Sequence, residues 1–315
     1  MTTDTLLSLL DTSALRTVAV GAAGLGLVAG SVGAFAVLRR QSLQGDMVSH
    51  AALPGVAVAF LLGGDSPAVL ILGGAAAGWV AMLLVGVVTR RSRVPFDAAL
   101  GGALAVFFGL GLVLMTYIQK HPADFANASR SPLERYLFGQ AALIRENDVR
   151  LVGGIGAAAL LLLAAFWKEL KLLSFDPDYA ASLGLPVRRL DLLLTTLTVV
   201  AVVIGLKAVG VVLMTALLIA PAAAARQWTD RLGRMVLLSA AFGALAGLAG
   251  TVLSHVLSDL PGRRATVPTG PAIVLCATAI VLVSLLLGTS RGVLWKLARS
   301  ASRRGYAAPG DDVVR

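Results

Sequence analysis

Asp46 and His50 stand four residues apart in "GDMVSHAALPG", where an apolar run begins. On a helix, positions i and i+4 share a face, so the carboxylate and the imidazole point the same way. Both groups suit first-row divalent ions such as zinc, manganese and iron. Two ligands do not make a tight site. That suits transport, in which an ion must bind well enough to enter and loosely enough to leave. Pro54 has no N–H to offer the carbonyl of residue 50, which frees that oxygen. Gly45 and Gly55 bracket the unit and permit broken or closely packed backbone, which is tolerated at membrane depth where it lines a cavity. The competing reading is structural: Asp46 caps a helix that follows Arg39-Arg40, and His50 bonds to a neighbouring helix. Spacing by itself leaves the two readings evenly matched.

Other polar groups in apolar surroundings carry less. Asp97, in "VPFDAALGG", starts a span and is expected to be its N-cap. His255, in "TVLSHVLSDLP", lies near the outer end of its span, where an interfacial role is favoured over that of a gate or entry ligand. Lys207 separates two short apolar runs and is expected to snorkel from a loop. Cys276 has no partner cysteine in the chain, so it forms no internal disulfide. There is no G-x-x-x-x-G-K-[ST] phosphate loop, so nucleotide hydrolysis belongs elsewhere. H-E-x-x-H and G-x-S-x-G are absent too, which removes two common hydrolase signatures.

The elements that must position Asp46 and His50 are membrane helices. The chain has 315 residues, 57% of them hydrophobic and 14% charged, against about 25% charged in soluble domains. Its mean hydropathy is +0.84. A span needs about 20 apolar residues, and nine runs qualify: 17–38, 47–64, 67–89, 98–119, 149–167, 190–206, 208–225, 235–257 and 270–289. One of the short runs beside Lys207 could be a half-helix, so eight to ten crossings is the expected range. The net charge of +10 does not indicate nucleic acid, because the basic residues form short clusters between apolar runs. Loops 39–45, 90–97, 168–189 and 226–234, with the tail from 291, hold 18 of the 27 basic residues. The positive-inside rule makes those loops cytoplasmic, with the N-terminus outside and the C-terminus inside. Within the inner segment, Asp176-Pro177 and Gly184 predict the start and stop of a short amphipathic helix. Residues 1–290 form the transmembrane domain, and the basic tail 291–315 is expected to lie on lipid at the inner leaflet.

Taken in order, "LRRQSLQGDMVSHAALPGVAVAFLL", "FDPDYAASLGLPVRRLD", "VVIGLKAVGVVLMTALLIAPAAAARQWTDRLGRM" and "PTGPAIVL" resemble the metal-importing ABC permeases of the manganese/zinc/iron type. The matching segments run from about residue 30 to residue 290. "LFGQAALI" and "QWTDRLGRM" resemble the manganese branch, in which two different permease chains are encoded together. The resemblance implies an all-α fold of the type II ABC importer kind in a bacterial inner membrane. It implies a second permease chain (a heterodimer is favoured), a cytoplasmic dimer of ABC ATPases that binds the ATP, and an extracytoplasmic metal-binding protein. No tightly bound cofactor is implied, only transported Mn2+, Zn2+ or Fe2+. The family's metal-contact residues map onto Asp46 and His50. Segment 222–234, with Arg226, Asp230, Arg231 and Arg234, maps onto the part that couples to the ATPase. Two departures stand out. "LPGRRATVPTGP" carries extra residues including Arg263 and Arg264, and "RVPFDAALG" keeps only Asp97 of a more polar family pattern.

The expected function is therefore the permease subunit of an ATP-driven divalent-metal importer, manganese first, then zinc, then iron. A permease for metal chelates or vitamins of the same fold remains the alternative. An intramembrane metallohydrolase would need a third ligand and a general base from another span, for which only Asp97 and His255 are available. A lone secondary transporter would work without an ATPase.

Overall fold

Alanine- and glycine-rich apolar runs separated by short basic turns fold, in the computed structural model, into helices whose backbones touch. The structure describes residues 13–62, 66–121, 146–259 and 267–293. "LFGQAALI", Arg263, Arg264 and the tail from residue 294 lie outside them. Eleven helices occur among the described residues: α1 (Ser13–Leu38), α2 (Leu43–Leu61), α3 (Pro67–Arg91), α4 (Phe96–Lys120), α5 (Glu146–Ala165), α6 (Trp167–Phe175), α7 (Pro177–Ser182), α8 (Val187–Val209), α9 (Val211–Trp228), α10 (Leu232–Ser258) and α11 (Thr269–Leu287). Six of these are long and apolar enough to cross a membrane, or seven if α5 and α6, bent by 71° at their junction, are one broken span. The site helix α2 is not among the six, because its polar residues lower its hydropathy.

α1 is the central helix, with 78% of its apolar window buried against 28% for α4 and for α11. Its small residues make that position possible. A Cβ added at Gly26 would run into the carbonyl of Gly243, one at Gly30 into that of Ser239, and one at Gly247 into that of Ala22. Two stripes at four-residue spacing thus bring the α1 and α10 backbones into contact, as small residues do where lipid supplies no hydrophobic drive. Ser239 Oγ donates to the Gly30 carbonyl at 2.6 Å and pins the contact. Outward-facing Leu72, Val106, Val113, Leu161, Leu237 and Leu275 are exposed, as lipid-facing side chains are.

One end of the bundle gathers the basic residues. Arg39 pairs with Asp191 at 2.6 Å, tying the end of α1 to the start of α8. Trp167 meets Phe35 edge to face with centroids 5.9 Å apart, and lies 3.7 Å from a Cβ built on Gly233. The ends of α1 and α5 and the starts of α8 and α10 therefore share this basic face. Arg40 takes φ +56°, and Gln41 N donates to Ala36 O at 2.9 Å. That left-handed residue closes α1 as a Schellman-type end.

Several expectations about single residues change. Lys207 lies within α8, not in a loop, because the chain turns at Gly210, whose φ +90° and ψ 167° only glycine adopts without strain. Asp97 is not a cap: Pro95 holds that position, and Asp97 sits exposed in the first turn of α4, where the helix dipole favours an anion. Nor does α2 break at Gly45, Pro54 or Gly55, since it runs unbroken from Leu43 to Leu61. Those three residues serve close approach instead. A Cβ at Gly45 would lie 2.6 Å from Leu218 Cδ2, one at Gly55 would strike the Gly73 carbonyl of α3, and one at Gly111 of α4 would lie 3.1 Å from Pro54 Cδ. The short inner helix forms as expected: Asp176 accepts from Tyr179 N at 2.9 Å, and Gly184 ends the segment at φ +76°.

Candidate metal path

α2 starts at Leu43 with Ser42 at its N-cap position, so Asp46 is a first-turn residue and not the cap. That removes the capping half of the structural reading. One turn on, His50 Nε2 lies 3.5 Å from Asp46 Oδ1. A direct charge-assisted contact would close to about 2.7–2.9 Å. Two ligands each about 2.1 Å from one tetrahedral ion stand about 3.4 Å apart. The separation leaves room for one ion between the two atoms, and it is also the 3.4–3.6 Å spacing of the Arg226–Asp230 and Arg150–Glu146 pairs one helical turn apart.

Each ligand has a neighbour from another helix. Thr215 of α9 donates its hydroxyl to Asp46 Oδ1 at 3.3 Å. Phe108 of α4 packs edge to face on the His50 ring with centroids 4.8 Å apart. Among the described residues, His50 Nδ1 is buried and without a hydrogen-bond partner. A ligating histidine ordinarily donates its second N–H to an acceptor that fixes the ring and raises its basicity. Asp46 keeps 36% of its side chain exposed and His50 16%, so the carboxylate is the more open of the two. Among the described residues no third His, Cys, Asp or Glu joins them, so neither Asp97 nor His255 completes the site. Thr215 stands about 20 Å of helix rise from Trp228 at the basic end of α9.

Thr215 and Phe108 are the residues that sequence reasoning missed. The available signal was Thr215 as the only hydroxyl in "VVLMTALLIA". His255 faces Asp259, with Nε2 and Oδ2 3.4 Å apart, at the far end of α10.

The segment 222–234 is mostly helix: α9 continues to Trp228 and α10 starts at Leu232, which leaves a three-residue turn. Its charged residues divide into two sets. Asp230 accepts from Ser290 Oγ at 2.8 Å and from Arg291 Nη2 at 2.9 Å, and lies 3.4 Å from Arg226 Nη1. Gln227 O accepts from the backbone of Ser290 at 3.1 Å and of Arg291 at 3.2 Å. The turn after α11 is thus clasped onto the turn after α9. The Ser290 hydrogen bond is the largest influence holding the Asp230 carboxyl below its ordinary range, with Arg291 and Arg226 adding to it against partial burial. Arg231 and Arg234 point outward, exposed.

Comparison with known proteins gives a consistent picture. The sequence model of the ABC 3 transport family matches residues 11–288. The chain is 46% identical over 295 residues to the zinc transport system membrane protein TroC of Treponema pallidum (strain Nichols), covering 93% of this chain and 95% of that protein. It is 44% identical over 276 residues to the manganese transport system membrane protein MntC of Bacillus subtilis (strain 168), covering 87% of this chain and 61% of that protein. Among solved structures, PsaBC from Streptococcus pneumoniae in complex with Fab superposes with a TM-score of 0.79 at 32% identity, covering 95% of this chain and all of that one.

Proposed function

The chain belongs to the ABC 3 transport family, and on that premise we propose that it carries divalent metal ions inward through the membrane by way of Asp46 and His50. It is a multi-pass all-helical membrane permease and not itself catalytic. The observation that carries the proposal is the meeting of the Asp46 carboxylate and the His50 imidazole on one face of α2, 3.5 Å apart, with the Thr215 hydroxyl of α9 on the carboxylate. The names of its relatives divide between zinc and manganese, and a carboxylate–imidazole pair does not select between them. Manganese is the first expectation, zinc the second and iron the third.

The ion arrives from an extracytoplasmic metal-binding protein, meets Asp46 and His50, and fills its remaining coordination positions from water or from a second permease chain. A different chain is favoured there over a second copy of this one. The basic face is cytoplasmic, and there Arg231 and Arg234 meet the ATPase dimer while Asp230 and Arg226 hold the turn in shape. ATP bound in those partners switches access between the two sides, and no resident cofactor is involved. The test is ion uptake by Asp46→Ala and His50→Ala variants, with their amounts in the membrane measured alongside. Loss of uptake in both supports the site, and normal uptake in both excludes it.

A further inference from the structure

The plane of the His50 ring needs something to set it. In most ligating histidines a hydrogen bond from the second ring nitrogen does so, and decides which nitrogen meets the ion. Among the described residues, no group bonds to His50 Nδ1. Nε2 stands 3.5 Å from Asp46 Oδ1, too far for a closed charge-assisted bond. The torsion that turns an imidazole about its outer side-chain bond is broad, with no sharp preference of its own. The orientation of this ring therefore falls to packing.

Phe108 of α4 supplies the packing. Its ring meets the imidazole at 77° with centroids 4.8 Å apart, the arrangement that aromatic pairs favour. Phe108 has a fixed seat. Three residues further along α4, a Cβ added at Gly111 would lie 2.9 Å from Leu53 Cβ and 3.1 Å from Pro54 Cδ, so the two helices meet there with no side chain from α4 between them. Pro54 stands one turn beyond His50, so the contacts His50–Phe108 and Pro54–Gly111 run in step along the same pair of helices. Phe108 also packs against the apolar core that takes in Met47, Val48 and Ala51 of α2. Asp46 is steadied from elsewhere, by Thr215 of α9.

We infer that Phe108 is the positioning residue of His50: its ring holds the imidazole so that Nε2, and not Nδ1, faces the Asp46 carboxylate. Gly111 and Pro54 serve this by bringing α4 close enough for the contact. The consequence for metal rests on the proposed function, but the hold on the ring does not.

The test uses the full chain with its partner subunits in lipid. Magic-angle-spinning NMR with ring-labelled histidine reads the imidazoles, and His50→Gln identifies the His50 signals among those of the three histidines. Wild type should give one ordered set of His50 ring signals. Phe108→Leu, which keeps an apolar side chain, should split or broaden them and leave those of His121 and His255 in place. Phe108→Met, which fills the space with a flexible chain, should do the same. His50 signals that stay single and sharp in both variants would overturn the proposal. Uptake of Zn2+ or Mn2+ by the same complexes supplies the second reading. The ion concentration for half-maximal uptake should rise about two- to ten-fold, the worth of an aromatic pair, while the maximal rate per folded chain holds. An unchanged half-maximal concentration, or a fall in maximal rate alone, would overturn the positioning role. Normal uptake by His50→Ala would instead remove the metal site and leave the effect of Phe108 on the ring signals untouched, so the two failures are distinguishable.

Discussion

At the scale of residues, the proposed site is one carboxylate and one imidazole on a single helix face, and among the described residues His50 Nδ1 has no hydrogen-bond partner. Replacing either by alanine should cut uptake at least ten-fold at limiting metal, measured as radiolabelled ion accumulation per folded chain. Thr215→Val removes a hydroxyl that steadies Asp46 through a single 3.3 Å contact. A hydrogen bond of that kind contributes about 1 kcal/mol, so apparent metal affinity should fall roughly five-fold while the maximal rate stays near wild type. Concentration-dependent uptake would separate the two effects. The pair itself was legible in the sequence because ionisable residues in membrane segments are rare and residues four apart share a helix face. Thr215 was not, because threonine in a helix usually bonds its own preceding turn. Its link to Asp46 spans 169 residues of chain.

At the scale of elements, glycine does two distinct jobs. Along α1 and α10 it lets backbones meet, so Gly26→Leu should drive a side chain into the Gly243 carbonyl and separate the central helices. Overpacking costs about 1–3 kcal/mol or more, and a lower thermal midpoint of the detergent-extracted chain would report it. At Gly210 the need is conformational. Gly210→Ala should lower stability by about 1–3 kcal/mol in the same assay, with a small effect on metal affinity because Asp46 lies on another helix. Hydropathy located six long apolar helices to within a few residues, but it counted nine crossings where, among the described residues, six helices, or seven with the bent α5–α6 pair, are long and apolar enough. It misplaced the α8–α9 boundary, where a charged residue at 207 suggested a loop and the backbone requirement at 210 made the turn. Pro54 and its flanking glycines suggested a broken helix for a related reason. Composition shows that a backbone can break, whereas close neighbours such as Gly73 and Gly111 decide that it packs instead.

At the scale of the whole molecule, Thr215, which bonds Asp46, and Trp228 on the basic face are about 20 Å of helix apart along α9, so the proposed coupling must travel through packed helices. The clasp between Asp230 and the turn at 288–291 makes the basic face one unit. Because the Asp230 carboxyl is held below its ordinary value of 3.8, the clasp is fully formed above that value and is lost only as pH falls through the depressed one. ATPase coupling should therefore not vary through this carboxylate at neutral pH. Arg231→Glu, which reverses an exposed charge outside the clasp, should raise ATP hydrolysed per ion moved, and an unchanged ratio in reconstituted vesicles would place the coupling contact elsewhere. The family could be read from ordered motifs, whereas the clasp depends on residues about 60 positions apart and left no local pattern. The central claim is that this permease moves a divalent metal inward past Asp46 and His50. Its most direct test is total cellular manganese, zinc and iron by elemental mass spectrometry, in metal-limited cells lacking the gene, complemented with wild type or with Asp46→Ala. One metal should fall on deletion and return with wild type but not with Asp46→Ala, whereas metal contents that ignore the deletion, or full recovery with Asp46→Ala, would contradict the account.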